Sequence, residues 1–270
     1  MKKYWMIACW LLVAATVQAQ DLIILHTNDT HSQLETMTVG KGKGRGGISR
    51  RYEYFQTVRA EGPEVLVLDA GDYNQGTPYF TVFNGDIEVD LMNVLGYDVV
   101  ALGNHELDNG MAELARRLKK ANYATVCANY DFTGTPLEGL IQPYTMVERA
   151  GRRIGIIGLT AKLEGLVSAH CRQGLVYQNA VEVANRYAML LRQEYACDMI
   201  IVLSHLGYAG KTSDTELAKN SRNIDMIIGG HSHTFLKQEH LFRNLDDQDV
   251  VVVQDGAQGE WVGRFDIDFQ

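Results

Sequence analysis

Apolar runs along this chain repeatedly end in side chains that bind metal ions. Leu22-Ile23-Ile24-Leu25 leads to Asp29-Thr30-His31, and Val65-Leu66-Val67-Leu68 to Gly71-Asp72. Val99-Val100-Ala101-Leu102 leads to Gly103-Asn104-His105-Glu106, Ile200-Ile201-Val202-Leu203 to Ser204-His205, and Met226-Ile227-Ile228 to Gly229-Gly230-His231-Ser232-His233. Short continuous apolar runs read as strands buried on both faces. Between them lie helical patterns, the clearest from Ile48 to Arg59, where Ile48, Tyr52, Phe55 and Val58 share one face. Others run from Ile87 to Leu95, Met111 to Lys120, Val181 to Tyr195 and Asp214 to Lys219. In the Met111 helix, Leu114, Ala115 and Leu118 are predicted to face inward. Arg116, Arg117, Lys119 and Lys120 are predicted to form a solvated outer face. Alternating strands and helices predict an α/β fold with parallel β-α-β units. Further strand patterns lie at Tyr123–Ala128, Tyr144–Glu148 and Arg153–Leu159, and those at Met199–Leu203, Asp225–Ile228, Val250–Gln254 and Val262–Phe269 make the last third richer in strands and predict a second sheet.

Open α/β sheets hold their ligands beyond the carboxyl ends of the strands. Every cluster falls at such an exit. Taken singly, each has a plain alternative: Asp-x-His as a turn, Asp72 as a helix cap, Asn104 as a left-handed turn residue, His205 as a histidine satisfied beneath a loop. Taken together they bring imidazoles, carboxylates and one amide to the same edge. That mixture suits a pair of divalent transition ions better than calcium or a structural zinc. Two adjacent metals are a common device for hydrolysing phosphate esters. Gly229 and Gly230 are expected to let the backbone approach an ion closely.

The chain has 270 residues, 46% of them hydrophobic, enough to bury a substantial core. Its net charge of -8 makes it a poor binder of phosphate backbones, so nucleic acid is set aside as a partner. Lys2, Lys3 and the apolar run Met6–Val17 read as a signal peptide cut after Ala19, leaving residues 20–270 as the working domain. Loss of the two lysines takes the charge from -8 to -10. The apolar run is too short for a stable membrane span, so a periplasmic or secreted location is expected. Cys127, Cys171 and Cys197 form no disulfide or zinc spacing, and Cys127 and Cys197 read as small buried hydrophobes. The Gly40–Gly47 loop, with Lys41, Lys43 and Arg45, lacks the Gly-Lys-Ser/Thr ending of a phosphate-binding loop and reads as a surface turn.

The ordered motifs are His26-Thr27-Asn28-Asp29-Thr30-His31, Gly71-Asp72 with Gln75-Gly76-Thr77, Gly103-Asn104-His105-Glu106 with Asp108, Ser204-His205, and Gly230-His231-Ser232-His233. In order and spacing the chain resembles the calcineurin-like metallophosphoesterases, and more closely the periplasmic 5′-nucleotidase and UDP-sugar hydrolase family. The resemblance implies a four-layer α-β-β-α sandwich, a two-sheet core flanked by helices. It implies two divalent ions, drawn from zinc, manganese, iron or cobalt. Asp29, His31 and His233 would hold one, Asn104, His205 and His231 the other, with Asp72 shared. His233 stands where several 5′-nucleotidases carry glutamine, so a ligand is kept. His105 and Asp108 would be the catalytic pair, with His105 beside the substrate phosphate and off the metals. The reaction implied is in-line attack on phosphorus by a metal-held hydroxide. Asn28 and Thr30 would organise the first ligand loop, and Glu106 would orient ligands or cap a helix. His26 and His170 carry no metal role.

The expected substrate is a small phosphate ester, a nucleotide first of all. A phosphodiesterase or pyrophosphatase acting on UDP-sugars or cyclic nucleotides is the second enzyme reading. A third is a metal-binding subunit that needs a separate protein to bind substrate, because members of the resembled family have a second, C-terminal domain that grips the base. Tyr73, Tyr79, Phe80 and Phe83 lie near the Asp72 loop, and core packing is the simpler expectation for them.

Overall fold

A computed structural model describes residues 21–40 and 42–269. The expected signal peptide and Lys41 lie outside those residues. In chain order the elements are β1 (Leu22–Thr27), α1 (Ile48–Arg59), β2 (Glu64–Asp69), α2 (Pro78–Phe83), α3 (Asp86–Leu95), β3 (Val99–Ala101), α4 (Met111–Leu118), β4 (Ala124–Val126), β5 (Tyr130–Asp131), β6 (Ile141–Gln142) and β7 (Tyr144–Arg149). They continue with β8 (Arg152–Thr160), β9 (Val176–Tyr177), α5 (Ala180–Gln193), β10 (Met199–His205), α6 (Asp214–Lys219), β11 (Met226–Gly229), β12 (His240–Arg243), β13 (Asp249–Val253) and β14 (Gly263–Ile267).

Two six-stranded sheets form the core, ordered β14-β1-β2-β3-β4-β6 and β12-β13-β11-β10-β8-β7. Strands β1, β2, β3, β4 and β6 run parallel, closed at one edge by antiparallel β14. Strands β8, β10, β11 and β13 run parallel between antiparallel β7 and β12. The side-chain alternation of each central strand explains the layering. Leu22 and Ile24 of β1 join Leu66 and Leu68 against Ile154, Ile156, Ile201 and Leu203 of the other sheet. The intervening Ile23 and Leu25 pack with Phe55 and Val58 of α1 and Val89 and Met92 of α3. On the far side Ile200 and Val202 meet Val183, Ala184 and Leu191 of α5. The result is the expected α-β-β-α sandwich. The second sheet begins at β7, earlier than the strand-rich final third suggested.

One expectation is overturned. Arg116, Lys119 and Lys120 belong to the outer part of α4 and its end, but Arg117 is completely buried. Its guanidinium donates to the carbonyls of Asn84 and Glu106. A helix has a period of about 3.6 residues, so a run of cations spans more than one face. Arg117 shares the inner face with Leu114 and Leu118, and carbonyl acceptors make its burial tolerable. Tyr73 and Phe80 are buried, whereas Phe83 is exposed and stacks near Tyr79. Cys127, Cys171 and Cys197 are all buried and free. No helix among the described residues is long and apolar enough to cross a membrane.

Candidate metal centre

The parallel strands deliver the ligand-rich loops to one edge of the sandwich. Asp29 and His31 follow β1, Asp72 follows β2, Asn104 follows β3, His205 ends β10, and His231 and His233 follow β11. Residues up to 204 positions apart thereby gather. Ligand-capable atoms of Asp29, His31 and His233 lie within 4.8 Å of one another, and the same holds for Asp72, His205 and His231. A third set, His31, Asp72 and His105, meets the same limit, so Asp72 adjoins both groups.

The contacts are those of donors facing a common point. Asp29 Oδ1 lies 3.4 Å from His233 Nε2 and 3.8 Å from His31 Nε2. His31 Nε2 and His233 Nε2 face each other at 2.9 Å. His205 Nε2 lies 3.0 Å from Asp72 Oδ2, yet forms no directed hydrogen bond, and Asn104 Oδ1 is likewise buried without a partner. Orphaned buried acceptors are costly and call for an explanation. A divalent ion would supply one here, because imidazole nitrogens with carboxylate and amide oxygens form a suitable donor set. Burial lowers the pKa of His31 and His231, favouring the neutral form that ligates. Burial also opposes charge on His205, but the facing Asp72 outweighs it and pushes that imidazole up to about 10.

The backbone is unusual at these positions. Asp29, His31, Asp72, His231 and His233 all adopt left-handed conformations, with φ of 48°, 48°, 58°, 70° and 52°. Such φ values are uncommon for residues other than glycine and cost roughly 1–3 kcal/mol each. Hydrogen bonds hold them in place. The Asp29 amide donates to the Gly71 carbonyl at 2.9 Å, and that of His31 to the Asp72 carbonyl at 3.0 Å. The His231 amide donates to Asp29 Oδ2 at 2.8 Å. Two glycines make the close approach feasible. A Cβ on Gly103 would strike Asp72, and one on Gly230 would lie 2.9 Å from both the Ala70 carbonyl and His205 Nδ1. Gly229 has a different reason: a Cβ there would strike Asp214 Oδ2. Asp214 accepts from Ser204 Oγ at 2.5 Å, and burial pushes its carboxyl up to about 8.

His105 stands beside these groups with its side chain 29% exposed, so solutes can reach it. Its Nδ1 lies 2.8 Å from Asp108 Oδ2, and this hydrogen bond raises the imidazole pKa. Its ring stands edge-to-face with His31, centroids 5.4 Å apart. Glu106 is buried at the centre of the loops. Its carboxylate accepts from the amides of Gly103 at 2.7 Å, Asp72 at 3.0 Å and Asn74 at 3.2 Å. It therefore positions the loops around Asp72. Asn28 donates to Asp29 Oδ2 at 2.6 Å and to the Gly256 carbonyl at 2.7 Å, while its Oδ1 accepts from the Asp255 amide. His26 Nδ1 sits 3.0 Å from Asp255 Oδ2, away from the ligand sets, and His170 contacts Cys171.

One contributor escaped sequence reading. Gln254 ends the β13 run, donates to the Gly230 carbonyl at 2.7 Å and accepts from the Thr234 amide at 2.6 Å. It braces the loop bearing His231 and His233. Its signal was available, since it too lies at the exit of a parallel strand.

A family model described as calcineurin-like phosphoesterase matches residues 22–235. A snake venom 5′-nucleotidase from Gloydius brevicauda is 35% identical, with 97% of this chain and 48% of the relative covered. Among solved structures, a 5′-nucleotidase precursor from Thermus thermophilus superposes with a TM-score of 0.84 at 36% identity, covering 92% of this chain and 51% of that one. The NAD nucleotidase of Haemophilus influenzae gives a TM-score of 0.79 at 28% identity, covering 90% and 46%. The chain thus spans about half the length of the relatives it matches.

Proposed function

Because the chain belongs to the calcineurin-like phosphoesterase family, we propose that it is an exported, metal-dependent hydrolase of nucleotide phosphomonoesters. The observation that carries the reading is the position of Asp72, with reach to donor sets on both sides. Asp29, His31 and His233 would hold one divalent ion, Asn104, His205 and His231 a second, and Asp72 would serve both. Zinc, manganese, iron and cobalt all suit these donors. When bound, such ions neutralise charge on a phosphoryl group and make water a better nucleophile. Export is supported by Lys2, Lys3 and the apolar run to Val17.

The chain's own residues would do the rest. Asp108 holds His105 by Nδ1, leaving Nε2 as the nitrogen free for substrate. A charged His105 donates to a phosphoryl oxygen or delivers a proton to the leaving oxygen. Glu106 keeps the Asp72 and Gly103 amides fixed during this, so little reorganisation is needed.

The test is turnover by the full chain with added manganese or zinc, read as phosphate release from AMP and as nucleoside monophosphate product from UDP-glucose and 2′,3′-cyclic nucleotides, whose cleavage frees no inorganic phosphate. Release from AMP is expected. NAD belongs in the panel because one structural neighbour is described as an NAD nucleotidase. Turnover only after addition of a separate substrate-binding protein would favour the subunit reading, and no turnover under any condition would defeat the enzyme reading.

Metal removal gives a further expected result. Five left-handed residues at roughly 1–3 kcal/mol each are comparable with a typical net stability of about 5–15 kcal/mol. Ions that bind only the folded chain offset that cost. Chelation is therefore expected to lower the melting temperature, and calorimetry showing no shift would argue against ions at these ligands.

A further inference from the structure

A second group of side chains adjoins the ligand cluster on its His233 side. A cleft of about 840 Å³ is lined by His233, Arg45, Lys237, Phe235 and Trp261, among others. Phe235 and Trp261 are 42% and 40% exposed, although such side chains are normally withdrawn from water. Their rings stack at 4.9 Å with an interplanar angle of 22°. The Arg45 guanidinium lies 4.8 Å from the Trp261 ring centre, and Glu260 holds it at 3.3 Å. The Gly40–Gly47 loop is thus more than a turn, since it delivers a cation to an aromatic face.

The platform is tied to the candidate metal centre. Phe235 comes two residues after His233 and pairs with Asp255 through an isolated β-bridge. Gln254 fixes the intervening Thr234. Trp261 follows on the same strand-exit segment, so the aromatic pair and the His231–His233 loop form one braced unit. An aromatic face beside two cations fits a ligand that is flat and π-rich at one end and anionic at the other. In a chain of net charge -8, Lys237 together with the Glu260-paired Arg45 leaves the cleft's lysine, arginine and glutamate lining with a net positive charge that favours anions.

We propose that Trp261 and Phe235, with Arg45 and Lys237, form a base-binding subsite for the substrate nucleotide, whose phosphate lies at the His233 end. This inference rests on the nucleotide-hydrolase reading above. It places base recognition on the same half-length chain as the ligand cluster. Stacking of one base on an aromatic side chain contributes about 1–3 kcal/mol, so loss of the platform should cost about fivefold or more in discrimination.

Two measurements test it. Trp5, Trp10 and Trp261 are the tryptophans of the chain. In the full chain carrying Trp5→Phe and Trp10→Phe, Trp261 is the sole tryptophan emitter, and adenosine, which has no phosphate, is expected to quench it saturably. Separately, the ratio of kcat/KM for AMP to that for ribose 5-phosphate is expected to fall at least about fivefold in Trp261→Ala, and less in Trp261→Phe, which keeps a ring. Should Trp261→Ala fail to fold, Phe235→Leu and the fluorescence titration decide the matter. If AMP is hydrolysed but adenosine does not quench and the ratio is unchanged, the subsite is refuted while the hydrolase reading stands. An exposed aromatic face used for docking protein would give that result. If no nucleotide is hydrolysed but adenosine quenches, the hydrolase reading fails and the aromatic platform stands.

Discussion

His105→Asn is expected to retain bound metal and lose about 10²–10⁴-fold in kcat, the usual contribution of a positioned acid or base. That loss corresponds to about 3–5 kcal/mol of transition-state stabilisation. The separation of metal from rate follows from geometry. The His105 main-chain amide donates to Asp72 Oδ1 at 2.8 Å, and asparagine keeps that amide. The side chain stands beside Asp72 and His31, but its Nδ1 is held by Asp108 and it is 29% exposed, unlike the fully buried His205. Removing the imidazole therefore leaves the loop around Asp72 intact. Steady-state kinetics with metal analysis of the purified variant checks both halves. Loss of metal with normal turnover in excess metal would show that His105 is a ligand instead.

Asp72→Asn is expected to cut divalent-ion affinity and phosphate release by at least about 100-fold, since even changes behind a metal's direct ligands cost about 10–100-fold. The substitution is chosen for what it preserves. Asn tolerates left-handed backbone about as well as Asp does, so φ of 58° at this position is kept. Asn also retains an oxygen able to accept from the His105 amide. What it removes is the negative charge facing His205 Nε2 at 3.0 Å, on a carboxylate within reach of both donor sets. Titration calorimetry with manganese and a phosphate-release assay read the two effects together. A variant that binds the same number of ions and turns over normally would remove the shared-ligand role.

Much of this architecture is legible in the sequence, because its strands are buried on both faces. Leu22-Ile23-Ile24-Leu25 has no polar alternate face, so it had to lie between two apolar layers, and it does. The donor clusters were legible because each follows such a run. Other features depend on neighbours distant in sequence. Arg117 looked like one more surface cation, and its burial depends on carbonyls of Asn84 and Glu106. Helix α2 was obscured because Pro78–Phe83 is rich in aromatics and only six residues long. Strand β12, four residues at a sheet edge, carries a burial pattern that alternates only between partly buried and exposed. The Trp261 platform is not legible in the sequence because its parts come from three separate segments, around positions 45, 235 and 261.

Strand β1 is paired with β14, and Asn28 is clamped by Asp255 from 227 residues further along the chain. Asp29 is likewise fastened through its carbonyl to the Gln258 amide at 2.7 Å. On a ribosome, which releases the amino-terminal end first, the earliest donors to emerge must wait for a segment 227 residues further along before their loop can set. Contacts this far apart also form slowly, because a long loop of chain must be closed first. An ion at Asp29 and His31 would therefore be taken up only once the segment from Asp255 to Gln258 has joined the fold, and a nascent stub that stops short of it would carry both side chains without the fastening of their loop.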